Sequence, residues 1–341
     1  MAQGRQHWWK VAASLALAVG LLAWFFSRVP LAEVGRTLLG VRAGWFAAAV
    51  CAALASYALR AFRWRVILRP LGPAPAVDLL GCTAAGFATS AILPARAGEL
   101  VRPLLLTART RLPAAGTIAS ILVERIADLV TVLLMFGVSA LFARGTIAAA
   151  ALRPVRDAAA LALVGVVVVL AVMFMLLRRR EAAVRQLVRV FPGRLRERGE
   201  RLLHHVLDGL EAVHSPGALA RLFAWSFAVW LLAAAQVQWL ARAFGLEYSL
   251  PVSFVLMAVS GLGLAVPTPG GVGGFHAAIQ FALTSLVAVD LPTATAFALL
   301  HHVVCFVPVT VLGLVYIAAV GFSPARVRAL EEKAAQSDGE R

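Results

Sequence analysis

Apolar residues run along this chain in blocks, separated by short polar stretches rich in arginine. Uninterrupted blocks cover residues 11–26, 44–68, 117–142, 158–177, 222–244 and 295–320. A helix needs about 20 apolar residues to cross a hydrocarbon core of about 30 Å. The pattern therefore predicts about six full spans. Two further blocks, 77–108 and 252–289, are broken near their middles. The first break reads Leu-Pro-Ala-Arg-Ala-Gly-Glu-Leu-Val-Arg over 93–102, and the second Val-Pro-Thr-Pro-Gly-Gly-Val-Gly-Gly-Phe over 266–275. Neither arm of the first broken block reaches spanning length, so each block predicts a re-entrant hairpin. Non-helical backbone at that depth is tolerated only when it is buried in protein or lines a cavity. Pro94 and Gly98 have the same spacing as Pro267 and Gly271. Paired interruptions in two halves of a membrane protein point to a transport site.

Alternating strand patterns are absent, which removes a barrel. The expected fold is an all-α polytopic membrane protein with two re-entrant hairpins arranged as inverted repeats. Between the spans, residues 178–215 carry Leu203, Val206, Leu207, Leu210 and Val213 at helical spacing beneath a dense arginine surface. This segment reads as two amphipathic helices on a membrane face.

Charge placement orients the chain. The first hairpin is flanked by Arg60, Arg63, Arg65 and Arg69 on one side and Arg109 and Arg111 on the other. Loops rich in arginine stay cytoplasmic, so this hairpin enters from the inside. The flanks of the second are poor in basic residues, so it enters from outside. The resulting organisation is a first span and external linker (1–43), a first repeat (44–143), a connecting span (144–177), a basic cytoplasmic segment (178–220), a second, inverted repeat (221–320) and a cytoplasmic tail (321–341). Both termini lie inside the cytoplasmic membrane on this reading, and the Arg60–Arg69 collar reads as an anchor to headgroups.

Composition agrees with the pattern: 61% of the 341 residues are hydrophobic, 14% are charged, and mean hydropathy is +0.85. The net charge of +15 does not indicate nucleic acid, because the arginines sit between spans, where they fix topology. Cys51, Cys82 and Cys305 lie singly in apolar segments and read as small buried hydrophobes. No metal-ligand cluster, nucleotide loop or activated nucleophile is visible, so neither cofactor nor catalytic residue is expected.

The candidate chemistry lies in the interruptions and one span. Arg96, Glu99 and Arg102 place charge in the first tip, and Glu124 and Asp128 share one face of the following span, with Arg125 about 100° away. Arg96 and Arg102 suit an anionic group, since a guanidinium donates two parallel hydrogen bonds to phosphate. The same charges could instead form a structural ion-pair network. The second tip has no charge. Its glycines would let backbone approach a ligand or the opposite hairpin, or form only a tight turn. His276, His301 and His302 read as packing residues with a proton pathway as the alternative, and Gly137 as an ordinary lipid-packed position.

Leu-Pro-Ala-Arg-Ala-Gly-Glu, then Glu-Arg-Ile-Ala-Asp, then Pro-Thr-Pro-Gly-Gly-Val-Gly-Gly resemble the lysylphosphatidylglycerol synthase transmembrane-domain family, whose members are also called flippase-like domain proteins. The resemblance covers roughly residues 10–320. It implies lipid translocation, as in the membrane half of the multiple peptide resistance factors, or a part in export of hopanoids or glycosylated isoprenoids. The family's signature falls on Pro94, Arg96, Gly98, Glu99, Arg102, Glu124, Arg125, Asp128, Pro267, Pro269, Gly270, Gly271 and Gly273. The soluble aminoacyl-transfer domain of full-length synthases has no counterpart in the sequence, so synthase activity is not implied. The expected partners are membrane lipids with an anionic head and a separately encoded lipid-modifying enzyme. A membrane transferase acting on a lipid phosphate is the rival reading.

Overall fold

The computed structural model describes residues 15–27, 29–92, 98–142, 149–178, 200, 216–266 and 268–321. The amphipathic cytoplasmic helices expected over 178–215 and the tail beyond 321 fall almost wholly outside these residues, as do Pro94, Arg96 and Pro267. Among the described residues every regular element is helical, as a multi-pass membrane protein requires in lipid.

In chain order the helices are α1 (Leu15–Phe26), α2 (Leu31–Leu39), α3 (Ala43–Leu68), α4 (Ala76–Ile92), α5 (Gly98–Arg109), α6 (Ala114–Phe142) and α7 (Ala149–Arg178). They continue with α8 (Pro216–Ala243), α9 (Leu250–Gly263), a 3-10 turn (Pro269–Gly271), α10 (Gly274–Leu286) and α11 (Leu291–Ala319). Local sequence sets the ends. Asp290 caps α11 by accepting from the Thr293 amide at 3.0 Å, and a proline follows in the first turn.

Among the described residues four helices are long and apolar enough to cross a membrane: α3, Arg153–Val172 of α7, Gly217–Ala243 of α8, and α11; counting α1 and α2 as one bent pair gives five. The sequence pattern suggests six. The difference lies in α6, which at 29 residues has the length but carries Glu124, Arg125 and Asp128 in its first half, and in α1, whose described part is short.

Contacts fix the directions of the helices. α3 and α8 run antiparallel: the Arg42 amide donates to Ala243 O at 2.9 Å at one end, and Arg63 Nη1 donates to Ser226 Oγ at 3.0 Å toward the other. α4 and α11 are also antiparallel, and they touch closely. A methyl on Gly313 would lie 2.2 Å from Ala84 O, and one on Gly81 would lie 2.1 Å from the Tyr316 ring. Asp78 at the start of α4 accepts from Arg109 at the end of α5 and from Tyr316 Oη (2.9 Å) on α11. The open end of the α4–α5 hairpin is thus tied to the last helix. The largest core, built from residues such as Phe25, Leu240, Leu256, Ile279, Leu283 and Phe297, joins α1, α8, α9, α10 and α11. A second, around Trp64, Leu68, Leu79, Leu105 and Leu106, seats the first hairpin on α3.

Candidate functional site

Two features lie in the interior: an ionic cluster under the first hairpin, and the tip of the second. The cluster begins with packing. In the α4–α5 hairpin, Gly98 sits so close to the opposite arm that a β-carbon there would be 2.2 Å from the Ser90 amide nitrogen. One at Gly86 would be 2.7 Å from Arg102 Cβ. These two glycines let α5 press onto α4, and α5 then presents Arg102 to α6.

On α6, Glu124 and Asp128 lie one turn apart and face inward, 1% and 5% exposed. Arg102 Nη1 donates to both Glu124 oxygens at 3.0 and 2.9 Å, and its guanidinium lies 4.0 Å over the Trp64 ring. Arg63, fully buried, bridges the two acids: Nη1 and Nη2 donate to Asp128 at 2.5 and 3.1 Å, and Nη2 lies 3.0 Å from Glu124. Trp230 Nε1 donates to Asp128 at 2.8 Å, and Arg60 lies 3.6 Å from its other oxygen while stacking 4.7 Å over the Trp230 ring. Arg125 pairs outward with Glu99 at 2.9 Å and lies 3.8 Å from Asp128.

Four guanidiniums (Arg60, Arg63, Arg102, Arg125) therefore meet three carboxylates (Glu99, Glu124, Asp128), leaving one positive charge in excess among the described residues. Burying charge is costly unless it is paired and hydrogen-bonded. Yet Arg102 Nε and Nη2 and Arg63 Nε are buried without a hydrogen-bond partner. The cluster offers donors and positive charge that an oxyanion would satisfy.

The sequence placed Glu99, Arg102, Glu124, Arg125 and Asp128 in this chemistry, and the structure brings all five together. It also corrects one assignment. Arg60 and Arg63 are not headgroup anchors, because the face of α3 that carries Ser56, Arg60, Arg63 and Trp64 turns inward, while Arg65 and Arg69 remain exposed. Their spacing of three and four positions along one helical stripe was the available signal. Trp230, which donates to Asp128, and Ser226, which accepts from Arg63, lie one turn apart on α8 and were missed because nothing in an apolar span marks them as partners of buried charges.

The second tip contains Pro269, Gly270 and Gly271 in the 3-10 turn and Gly273 as the N-cap of α10. Gly270, at φ +59°, meets the first hairpin: a β-carbon there would lie 3.0 Å from Ala91 O on α4. A β-carbon on Gly271 would meet Leu264, and one on Gly273 would lie 2.5 Å from Leu21 of α1. The second tip therefore lies against the last turn of α4, which leads into the first interruption. The tip is held from α11, where His302 Nε2 donates to Gly270 O at 2.9 Å and stacks on His276 with ring centroids 4.6 Å apart. His301 Nδ1 takes a hydrogen bond from Gln236 Nε2 at 3.1 Å. The histidines thus pack and brace the tip.

Comparison with known proteins adds the following. The family model described as "Lysylphosphatidylglycerol synthase TM region" matches residues 11–313. A curated relative, "Glycosyltransferase AglD" of Haloferax volcanii, is 31% identical over 324 aligned residues, covering 86% of this chain and 52% of the relative. The chain thus spans about half the length of that relative.

Proposed function

The chain belongs to the lysylphosphatidylglycerol synthase TM region family, and from that premise we propose that it moves a lipid with an anionic, phosphate-bearing head across the cytoplasmic membrane. One observation carries the reading: among the described residues the buried cluster has one cation in excess, and its central arginine, Arg102, keeps Nε and Nη2 without acceptors. Guanidinium matches phosphate in both charge and geometry. These desolvated donors, beside the Trp64 indole ring, would gain phosphate oxygens as acceptors as the head enters. The acyl or isoprenoid tails stay in the bilayer throughout.

The arrangement of the hairpins supports the same reading. On this reading α4–α5 and α9–α10 belong to units 44–143 and 221–320 of opposite orientation, with about six spans in all, and the packing of Gly270 against Ala91 O supports it. A site at the meeting point of two such units is reached from either side when the units rock against each other. The basic loops put Arg65, Arg69 and both termini on the cytoplasmic side. With no nucleotide motif in the sequence, movement is downhill, exchange-driven or coupled to protons.

The relative's name supports a second reading, an integral-membrane transferase on a lipid phosphate, or an accessory of a separately encoded lipid-modifying enzyme. The cluster favours translocation. Asp128 and Glu124 already receive guanidinium and indole donors, which leaves them poorly placed to take a proton from an attacking hydroxyl.

The test is leaflet exchange by the purified protein in liposomes, read as headgroup accessibility for a set of labelled lipids. We expect phosphate-bearing lipids to exchange and a lipid with an uncharged head to stay. A new covalent product without exchange would replace this reading with the transferase.

A further inference from the structure

A second site lies at the opposite end of α3. A surface pocket there is lined by Arg42, Trp45, Gln238, Arg242, Glu247 and Tyr248, among others. Arg42 precedes the first turn of α3 and Arg63 lies twenty-one positions further on, so the pocket is about 31 Å along the helix from the ionic cluster. That distance is about the thickness of the hydrocarbon core. The two arginine groups therefore belong to opposite membrane faces.

The pocket is built rather than incidental. The Arg42 amide donates to Ala243 O at 2.9 Å and locks the start of α3 to the end of α8. Arg242 lies 5.0 Å over the Trp45 ring, which fixes its direction. Gln238 Nε2 donates to Tyr248 O at 2.7 Å, and Gln238 Oε1 accepts from Ser253 at 2.8 Å. Tyr248 is 8% exposed, and its hydroxyl lies beside Ser253, whose own hydroxyl donates to Gln238. No ion pair joins Glu247 to either arginine among the described residues. No side chain caps α3 either, so its first-turn amides and the positive end of a 26-residue helix face the same region.

Two forked cations, one of them fixed on an indole ring, and an uncapped helix N-terminus converge on one chemistry. We propose that this pocket binds an oxyanion of the phosphate class at the membrane face opposite the ionic cluster. Arg42 and Arg242 grip its oxygens, and Trp45 supports Arg242 while packing against whatever adjoins the phosphate. The phosphate comes from a lipid head at that face or from free phosphate in solution. The proposal stands whether or not the chain moves lipid.

The experiment uses the full-length purified protein and two probes. Inorganic phosphate is titrated against protein in a neutral detergent. In parallel, the protein is placed in nanodiscs of phosphatidylcholine alone or mixed with phosphatidylglycerol. Thermal unfolding and equilibrium binding are read in both arms. The proposal expects stabilisation in at least one arm, and affinity about tenfold or more lower when Arg42→Gln and Arg242→Gln are combined. A response to phosphate identifies a free-oxyanion site, and a response to phosphatidylglycerol alone identifies a lipid head. Arg36→Gln, an exposed arginine of α2 outside both arginine groups, should leave the response intact. No response in either arm, or an equal response in the double variant, overturns the proposal. Should the double variant fail to fold, the Arg42→Lys, Arg242→Lys pair decides. It keeps the charge and loses the fork, so affinity unchanged from the wild type contradicts the proposal. Intact binding here with no leaflet exchange would sink the translocation reading and leave this one standing.

Discussion

Arg63 and Arg102 look alike in the sequence and carry different duties in the structure. Arg63 has no exposed surface and is shared between two buried acids, so its removal strands both Glu124 and Asp128. Arg63→Ala is expected to destabilise the protein by about 3–5 kcal/mol, seen as a large fall in the thermal midpoint and in the yield of folded protein. Arg102 keeps two donors in reserve. Arg102→Lys retains the charge beside Glu124 and should leave the midpoint nearly unchanged while leaflet exchange falls steeply, because a single ammonium cannot offer the planar fork. Asp128→Asn, which removes the charge that Arg63, Arg60 and Trp230 converge on, should behave like Arg63→Ala. Equal losses of stability in Arg63→Ala and Arg102→Lys would argue that the whole cluster is scaffold.

At the scale of helices and turns, the hairpins decide how close the halves come. Gly270 has a left-handed backbone and faces Ala91 O at 3.0 Å from a built β-carbon. Gly270→Ala should therefore cost roughly 1–2 kcal/mol in strain and push the tips apart, with exchange reduced well beyond the loss of folded protein. Gly137 corrects a sequence expectation. It is not a bland lipid-facing position, because a methyl there would lie 2.5 Å from Leu163 Cγ on α7. Gly137→Ala should destabilise by about 1–3 kcal/mol through overpacking, and the midpoint will show it. The hairpins themselves were legible because a proline, glycines and charges inside apolar runs are conspicuous. Glu124 and Asp128 were legible from a four-residue spacing. The inward turn of Arg60 and Arg63 was hidden because arginines near the end of a span usually serve as anchors, and only the packing of α8 on α3 reverses that. The contact of Gly137 depends on which face α7 covers, which no local pattern records.

For the molecule as a whole, the contacts set which helix ends lie together, and the charge of the loops supplies the orientation. Leu68, Asp78, Arg109 and the end of α11 share one end, where Tyr316 and Arg109 converge on Asp78. Arg42 and Ala243 share the other. Single cysteines at Arg69 and Glu247, both exposed, should label from opposite sides of the membrane, Arg69 from the cytoplasm. Labelling of both from one side would undo the inverted arrangement. The arginine-rich loops are the sequence signal behind this proposed orientation, whereas the pairing of α3 with α8 had no such signal, since apolar spans carry no mark of their neighbours. The central claim is that the ionic cluster receives the phosphate of a passing lipid. Its most direct measurement is leaflet exchange of a phosphate-bearing lipid per folded molecule, in liposomes holding wild type or Arg102→Lys at matched thermal stability. The account predicts exchange in the wild type and at least a tenfold loss in the variant. Equal exchange by the two proteins would contradict it.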